Sequence, residues 1–379
     1  MRPLVGILSC AAVLTILLDA FETMILPRRV IRRARLTALF YRSTWPLWSA
    51  LVRRIPKPRL RESALGYYGP FSTLALLVSW AFGMMLSFAG LHWALATPVS
   101  APEKHADFWT YLYMSGTDYL TLGLGDVAPL SLVGRGITVA EAGLGFGFLC
   151  IVIGYLPVLY QAFSRREMNI SLLDARAGSP PSALELLRHF GGGGAEPPAA
   201  TLHEAERWTA ELLESHISYP VLSYFRSQHD NQSWLASLTA ILDGCALVQA
   251  VISELGCRQA QLTFAMARHT VVDIAQILRT PPRAPSPDRL GPEQLERLRA
   301  GLAQAGLRLD TSDAALERLA ALRALYEPYV NALSQRLVMR LPDWAPERRA
   351  IHNWETSAWG RASAAASAAS NEAIEDDHT

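Results

Sequence analysis

The sequence predicts an all-α membrane protein with three transmembrane helices and a further helical part outside the membrane. Half of the 379 residues are apolar and mean hydropathy is +0.15, which is unusual for a soluble protein of this size. Three apolar stretches reach the roughly 20 residues that a helix needs to cross a bilayer. Residues 165–379 have the Leu/Ala periodicity of helices and few runs typical of strands.

The three stretches cover residues 4–26, 71–96 and 136–160, and they differ in charge. The second carries none, the third carries only Glu141, and the first carries Asp19 and Glu22 near its end. The first stretch could be a signal peptide, but no small-x-small cleavage site follows it. We therefore expect a retained span.

The two acids of the first span precede a basic segment. We interpret them as an interfacial ion-pair cluster rather than a proton relay, with the basic residues Arg28, Arg29, Arg32 and Arg33.

Charge asymmetry predicts the orientation. Residues 28–61 contain eleven basic residues and no acid, and Arg165 and Arg166 follow the third span. Positive loops stay in the cytoplasm, so the N-terminus is expected outside and the C-terminus inside. Among the 35 basic residues only Lys57 and Lys104 are Lys, which is typical of a GC-rich bacterial gene. The expected location is therefore the inner membrane of a bacterium.

Residues 36–52 form a fourth apolar stretch, which is short and contains Arg42 and Pro46. We expect a helix that lies in the membrane interface and contacts lipid, with Trp45 and Trp48 at headgroup depth.

A short apolar segment lies between the second and third spans. Residues 108–120 are too few to cross the membrane but can enter it as a helix, and Thr121-Leu122-Gly123-Leu124-Gly125-Asp126 follows. Non-helical backbone at membrane depth must be buried in protein or line a polar cavity. Alternating glycines let successive carbonyls face one axis, and four such strands can replace the water shell of a cation.

The segment resembles the filter of the potassium-channel pore family, T-V-G-Y-G-D, with a pore helix before it and Pro and Gly-Arg after it. The resemblance covers about residues 71–160. The matching residues are Thr121, Gly123, Gly125, Asp126, Pro129, Gly134 and Arg135.

The resemblance implies a filter in which the carbonyls of Thr121, Leu122, Gly123 and Leu124 bind K⁺. The Thr121 hydroxyl would form the innermost site, and Gly125 and Asp126 the outer mouth. One pore loop per chain implies a homotetramer, and permeant K⁺ is the expected ligand, with no other cofactor.

Two departures from the family pattern keep a weakly selective cation channel open as an alternative. Leu124 replaces Tyr or Phe, and we expect it to pack against Met114 of the pore helix. Asp118 and Leu120 stand where Thr is common. Asp118 could bond to Thr117 or a neighbouring chain, or it could attract cations.

The third span holds the expected gating residues. Gly145 is predicted as a hinge, Gly143 and Gly147 as packing positions, and Pro157 as a kink. Phe146, Leu149, Ile153 and Leu156 could line the cavity or face lipid; the gating candidates are Gly145, Leu149, Ile153 and Pro157.

Glu141 is the only charge of the third span. We expect it to bond to a pore-helix hydroxyl, Thr117 or Ser115. A role as a proton-sensitive gating residue is the alternative.

The C-terminal half is predicted as a helical cytoplasmic domain. Helices are expected over 183–190, 202–215, 231–255, 259–278, 292–305 and 312–338, the last capped by Ser312, with linkers at 191–200 and 281–292. The predicted domains are 1–27 (N-terminal span), 28–65 (basic interfacial segment), 66–162 (pore domain), 163–361 (helical domain) and 362–379 (disordered tail).

Several function classes find no support in the sequence. Gly191–Gly194 lacks GxGxxG spacing, His203 and Glu206 have no third metal ligand, and the four cysteines have no CxxC spacing. No catalytic constellation is present, so an enzyme is not expected, and a net charge of +1 gives no pull toward nucleic acid. The helical domain could bind an unidentified ligand or protein, and a membrane-tethered sensor is the alternative of another class.

Overall fold

The computed structural model describes residues 1–26, 35–102, 106–190, 198–229, 231–252, 255 and 258–347. Among these residues, three helices are long and apolar enough to cross a membrane: α1 (Arg2–Met24), α3 (Pro58–Ala94) and α5 (Leu132–Ala177). They confirm the prediction of an all-α membrane protein. The predicted tail and residues 191–197 of the first linker lie outside the described residues.

The second and third spans belong to helices that are longer than predicted. The helix α3 begins at Pro58 and α5 continues through Pro157 to Ala177, over 46 residues. Residues 161–177 consist mainly of good helix formers, so only the hydrophobicity ends at residue 160. The helix α3, by contrast, continues through Gly69 and Pro70.

The remaining elements are shorter than these three helices. In order, they are α2 (Leu36–Val52), β1 (Val99–Ser100), α4 (Phe108–Tyr119), β2 (Ala128–Pro129), α6 (Ala183–Arg188), α7 (Pro198–Ser218), a 3-10 turn (Pro220–Tyr224), α8 (Trp234–Ala250), α9 (Arg258–Ile277), α10 (Pro292–Gln304), α11 (Asp313–Ala324) and α12 (Glu327–Leu337).

One predicted helix, 312–338, is wrong, because the structure has α11 and α12 in its place. Pro328 has no N–H to bond to Ala324, and its ring clashes with that carbonyl in a continuous helix. The predicted cap is correct, since Ser312 accepts a hydrogen bond from the Ala315 amide at 3.4 Å.

The chain divides into two compact units. The first contains residues 1–54 and 67–161, and the second contains residues 55–66 and the chain from 162 onward. The domain boundaries drawn from the sequence stay a prediction.

Asp19 joins three helices of the first unit. Its buried carboxylate accepts hydrogen bonds from the Thr37 amide at 2.9 Å and hydroxyl at 2.6 Å on α2, and from Trp80 Nε1 on α3 at 3.2 Å. Arg35 Nε lies 3.7 Å from Asp19 and 3.4 Å from Glu22. Arg35 is thus a basic partner of both acids. The four arginines predicted for this role, Arg28, Arg29, Arg32 and Arg33, lie outside the described residues.

Glycines let α1 lie directly on α3. A Cβ at Gly83 would come within 2.8 Å of Ile16, and a Cβ at Gly90 would overlap Ser9. Small residues at seven-residue spacing are typical of close helix pairs in membranes. The first unit therefore attaches the additional N-terminal helix to the helix that precedes α4.

The helix α2 forms where residues 36–52 predicted one. Its Trp45 and Trp48 rings pack against Tyr68, with centroid distances of 4.8 and 6.0 Å. Its depth in the membrane stays a prediction.

A buried charged cluster organises the second unit. Arg289 Nη2 lies 2.6 Å from Asp243 Oδ2, and Nη1 lies 3.3 Å from Glu327 Oε1. The Tyr326 hydroxyl donates to Asp243 at 2.5 Å. Although burial alone would lower the pKa of Arg289, the Asp243 carboxylate raises it above its ordinary value. The cluster joins α8, α12 and the segment before α10.

Replacing Asp243 with Ala should destabilise the second unit by about 3–5 kcal/mol, because it leaves the Arg289 charge buried without its main partner. Denaturant or thermal unfolding of the full chain measures the loss. Glu293→Ala is the matched control, since it removes an exposed ion pair to Arg297. Equal stability of the two variants would contradict the assigned role.

Candidate functional site

The helix α4 is fixed firmly at its N-terminus. Asp107 accepts a hydrogen bond from the Thr110 amide at 2.9 Å, and the Thr110 hydroxyl accepts one from the Asp107 amide at 3.3 Å. This reciprocal capping box lowers the pKa of Asp107 through the hydrogen bond from the Thr110 amide. The Tyr111 hydroxyl also donates to the Thr97 carbonyl at 2.8 Å.

A two-strand pairing encloses the segment after α4. The strands β1 and β2 are antiparallel, with Val99 opposite Pro129 and Ser100 opposite Ala128. The chain after the segment is thereby tied to the chain before α4. The backbone of residues 120–127 is held at both ends.

The end of α4 has the hydrogen bonds of a Schellman motif. The Leu122 amide donates to the Thr117 carbonyl at 2.7 Å, and the Thr121 amide donates to the Asp118 carbonyl at 3.0 Å. The motif requires a left-handed residue just past the helix, and Thr121 has φ of +57°. The cap thus ends the helix at the first residue of the predicted filter.

The backbone alternates between left-handed and ordinary conformations along the segment. Thr121, Gly123 and Gly125 have φ of +57°, +58° and +75°, whereas Leu122 and Leu124 are not in the positive-φ region. Alternating hand places successive amides on one side of the chain and their carbonyls on the other. The glycines predicted this geometry at 123 and 125, but the conformation of Thr121 follows from the helix cap and was not predicted.

The segment is open to its surroundings in the single chain. Leu120, Leu122 and Leu124 expose 54%, 60% and 61% of their surface. A Cβ added at Gly123 or Gly125 would meet no atom within 4 Å. One chain therefore provides the backbone geometry but does not enclose it.

Met114 and Leu124, the expected contact pair, differ strongly in burial. Met114 is fully buried in a cluster with Ala89, Tyr111 and Val127, on the face of α4 that packs against α3. Leu124 exposes 61% of its surface in the single chain, so the contact between the two side chains stays a prediction.

Asp126 is held by Tyr113, a residue that the sequence pattern did not indicate. The Tyr113 hydroxyl donates to Asp126 Oδ2 at 2.8 Å, and the Val127 amide donates to Oδ1 at 3.1 Å. Tyr113 lies on the same helix as Met114 but on an exposed face. The sequence feature that could have indicated this contact is an aromatic residue with a hydroxyl group on the helix before the filter segment.

Polar side chains lie between α4 and α5, behind the segment. The Ser115 hydroxyl donates to Glu141 Oε2 at 3.3 Å, and Glu141 is fully buried. Of the two hydroxyls expected for Glu141, Ser115 makes the bond, whereas Thr117 donates to the Met114 carbonyl at 2.9 Å. The Asp118 carboxyl lies beside the Thr138 side chain of α5. The Thr117 hydroxyl, which was one expected partner of Asp118, donates to Met114 instead.

The glycines of α5 differ in how closely they pack within the single chain. Gly145 packs against the Tyr119 backbone so closely that a Cβ would overlap the Tyr119 carbonyl, whereas Gly143 and Gly147 have open space in the chain. Close packing is therefore the role shown for Gly145. A hinge at Gly145 stays a prediction.

The other gating candidates lie on an exposed face of α5 in the single chain. Phe146, Leu149 and Ile153 expose 60%, 50% and 64% of their surface. Leu156 instead packs against the cluster around Trp80 and Tyr119, so it does not belong to that face. Pro157 does not interrupt the helix.

The remaining histidine candidates form no site. Within the described ranges no three His, Cys, Asp or Glu side chains are placed to hold a metal. His203 lies 3.5 Å from Glu206 on an exposed face. His92 is fully buried, and its Nδ1 lies 3.2 Å from the Thr97 hydroxyl.

Replacing Gly145 with Ala should destabilise the first unit by about 1–3 kcal/mol, because the methyl group must displace backbone rather than a flexible side chain. Gly147→Ala is the matched control, since it adds the same group in open space. Thermal unfolding in detergent compares them. If both variants unfold at the same temperature, the assigned contact is wrong.

Comparison with known proteins agrees with this geometry. A family model described as "Ion channel" matches residues 73–161, which include most of α3, all of α4 and the apolar part of α5. No solved structure matches significantly.

Two curated relatives are both called Protein LctB. The one from Geobacillus stearothermophilus is 31% identical over 127 residues, which are 31% of this chain and 86% of that protein. The one from Bacillus caldotenax is 33% identical over 91 residues, which are 21% of this chain and 67% of that protein. The chain is a membrane protein and belongs to this ion-channel family.

Proposed function

We propose that the protein is a potassium-selective channel whose filter is Thr121–Asp126. The alternating backbone hand at Thr121, Gly123 and Gly125 carries the proposal. A strand with its carbonyls on one side offers oxygen ligands and no side-chain charge, which suits a dehydrated monovalent cation. The Thr121 hydroxyl adds an innermost ligand.

The proposed filter implies a homotetramer. Each chain supplies one filter strand, and a K⁺ ion needs oxygen ligands from all sides. The exposed leucines of the segment, Leu120, Leu122 and Leu124, and the exposed face of α5 would be covered by neighbouring chains. That face carries the gating candidates Leu149 and Ile153, which would line the cavity.

A weakly selective cation channel is the second candidate. Leu124 stands at the position of the family's aromatic residue, has no hydroxyl group, and exposes 61% of its surface in the single chain. Asp118 adds a carboxylate close to the inner end of the filter. Both features favour a looser filter that accepts Na⁺ as well.

The charge pattern supports the orientation. The basic segment 28–61 and Arg165 and Arg166 would lie in the cytoplasm, with the N-terminus outside the inner membrane of a bacterium. The second unit would then be cytoplasmic, where it could bind a ligand or a protein.

The reversal potential of the purified protein tests selectivity, in planar bilayers with K⁺ on one side and Na⁺ on the other. A value near the K⁺ equilibrium potential is expected, whereas a value near zero with measurable current would favour the second candidate.

Gly123→Ala should abolish the current, because φ of +58° strains any side chain. Gly147→Ala should conduct as wild type does, and current in both variants would contradict the assigned filter.

Replacing Tyr113 with Phe should lower the K⁺/Na⁺ permeability ratio, because Asp126 loses a hydrogen bond worth about 1 kcal/mol. A several-fold decrease in the ratio is expected from the reversal potential. Tyr67→Phe is the control, since Tyr67 lies exposed on α3. An unchanged ratio in Tyr113→Phe would show that Tyr113 does not support the filter.

A further inference from the structure

One short loop of the second unit contacts three helices. The loop consists of residues 222–228, which are the last residues of the 3-10 turn and the segment that follows it toward α8, and is called the coupling loop below. Its partners are Glu62 near the start of α3, Arg166 and Glu167 on the extension of α5, and the last carbonyls of α12. All of these residues belong to the second unit.

The α5 extension is attached through two adjacent buried charges. Arg166 donates to the Leu222 carbonyl and the Phe225 carbonyl, both at 2.9 Å. Glu167 accepts from the Gln228 amide at 3.1 Å, and it pairs with Arg166 at 2.9 Å. Both side chains are almost completely buried, so these directional bonds fix where α5 lies against the loop.

The α3 start is attached through Arg226. Its Nη1 lies 3.1 Å from Glu62 Oε1, and its Nη2 donates to the carbonyls of Leu337 and Val338 at 2.7 and 3.0 Å. A single guanidinium thus joins the coupling loop, α3 and the end of α12. Lysine has no planar fork with which to make these contacts together.

The end of α12 is strained at the point that Arg226 holds. Val338 has φ of +58°, and a β-branched residue in that region is an outlier that its surroundings must impose. Arg226 supplies part of that restraint by bonding the carbonyls of Val338 and its neighbour. Loss of the contact would let the α12 terminus relax.

The attached helices are the two that flank the filter. The helix α3 runs without interruption from Pro58 to Ala94, and α5 runs from Leu132 to Ala177. A continuous helix transmits a displacement of its end, and hydrogen-bonded contacts have discrete arrangements rather than a continuous range. A change in the second unit therefore reaches both helices through one loop.

We propose that the coupling loop transmits the state of the second unit to the channel and sets its open–closed equilibrium, with Arg226 and Glu62 as positioning residues. The inference rests on the proposed function, because it requires that α3 and α5 flank a conducting filter. It assigns the control of channel opening to the second unit.

Single-channel recording of the full chain in planar bilayers tests the proposal with Glu62→Gln, Arg226→Gln and the double variant. Each single variant should shift the open/closed ratio about fivefold or more, in the same direction, as expected for coupling between sites. The double variant should shift no further than Arg226→Gln, because both changes break one contact. Conductance and reversal potential should match those of wild type.

The controls separate coupling from stability. Glu293→Gln removes an exposed ion pair of α10 and should leave the open/closed ratio unchanged. Arg226→Lys keeps the attraction to Glu62 and should shift the ratio less than Arg226→Gln. If Arg226→Gln does not fold, Glu62→Gln carries the test, since Glu62 is 31% exposed and its loss leaves the bonds of Arg226 to α12 in place.

The outcomes are distinguishable. An unchanged open/closed ratio in folded Glu62→Gln and Arg226→Gln, or additive shifts in the double variant, overturns this inference alone. A wild-type protein without cation current contradicts the proposed function and this inference together. Altered conductance or selectivity in the variants also overturns the inference, because the contact would then act on the filter rather than on gating.

Discussion

The helix cap at Thr121 is the constraint on which the first unit depends. The end of any helix leaves carbonyls without partners, and inside a membrane water is not available to satisfy them. Here the amides of Thr121 and Leu122 satisfy two of them, and the left-handed turn that this requires begins the alternation of the filter segment. The orientation of α4 therefore sets the direction of the carbonyls that follow, and the capping box at Asp107 holds α4 at its other end.

Close approach of backbone to backbone supports that cap from behind. Gly145 brings α5 against the Tyr119 carbonyl in the last turn of α4, and the Ser115–Glu141 hydrogen bond lies one turn away on both helices. A polar bond and a glycine contact together define one register between α4 and α5. An apolar interface would tolerate sliding, and sliding would displace the filter segment.

Strong local signals were readable in the sequence, and long-range contacts were not. Span length and the Thr-Leu-Gly-Leu-Gly-Asp spacing identified α1, α3, α4, α5 and the segment after α4. The partner of Asp19 on α3, Trp80, is 61 residues away, and the choice of Gly145 over Gly143 and Gly147 depends on where α4 ends. The burial of Met114 against Ala89 depends on α3, and the spacing of residues along α4 could not show it. Pro328 was a readable break between α11 and α12 that the Leu periodicity obscured.

The arginine-rich composition, first interpreted as a bias of the gene, has a physical role in the second unit. Arg166 is buried and Arg226 and Arg289 are largely buried, and each donates to at least one backbone carbonyl as well as to a carboxylate. Arg226 bonds the end of α12 and Arg166 the end of the 3-10 turn, where carbonyls lack partners within the helix. Each therefore acts as a cap supplied from a distant part of the chain. Because a buried ion pair adds little net stability, the gain is fixed geometry, which a unit that positions α3 and α5 requires.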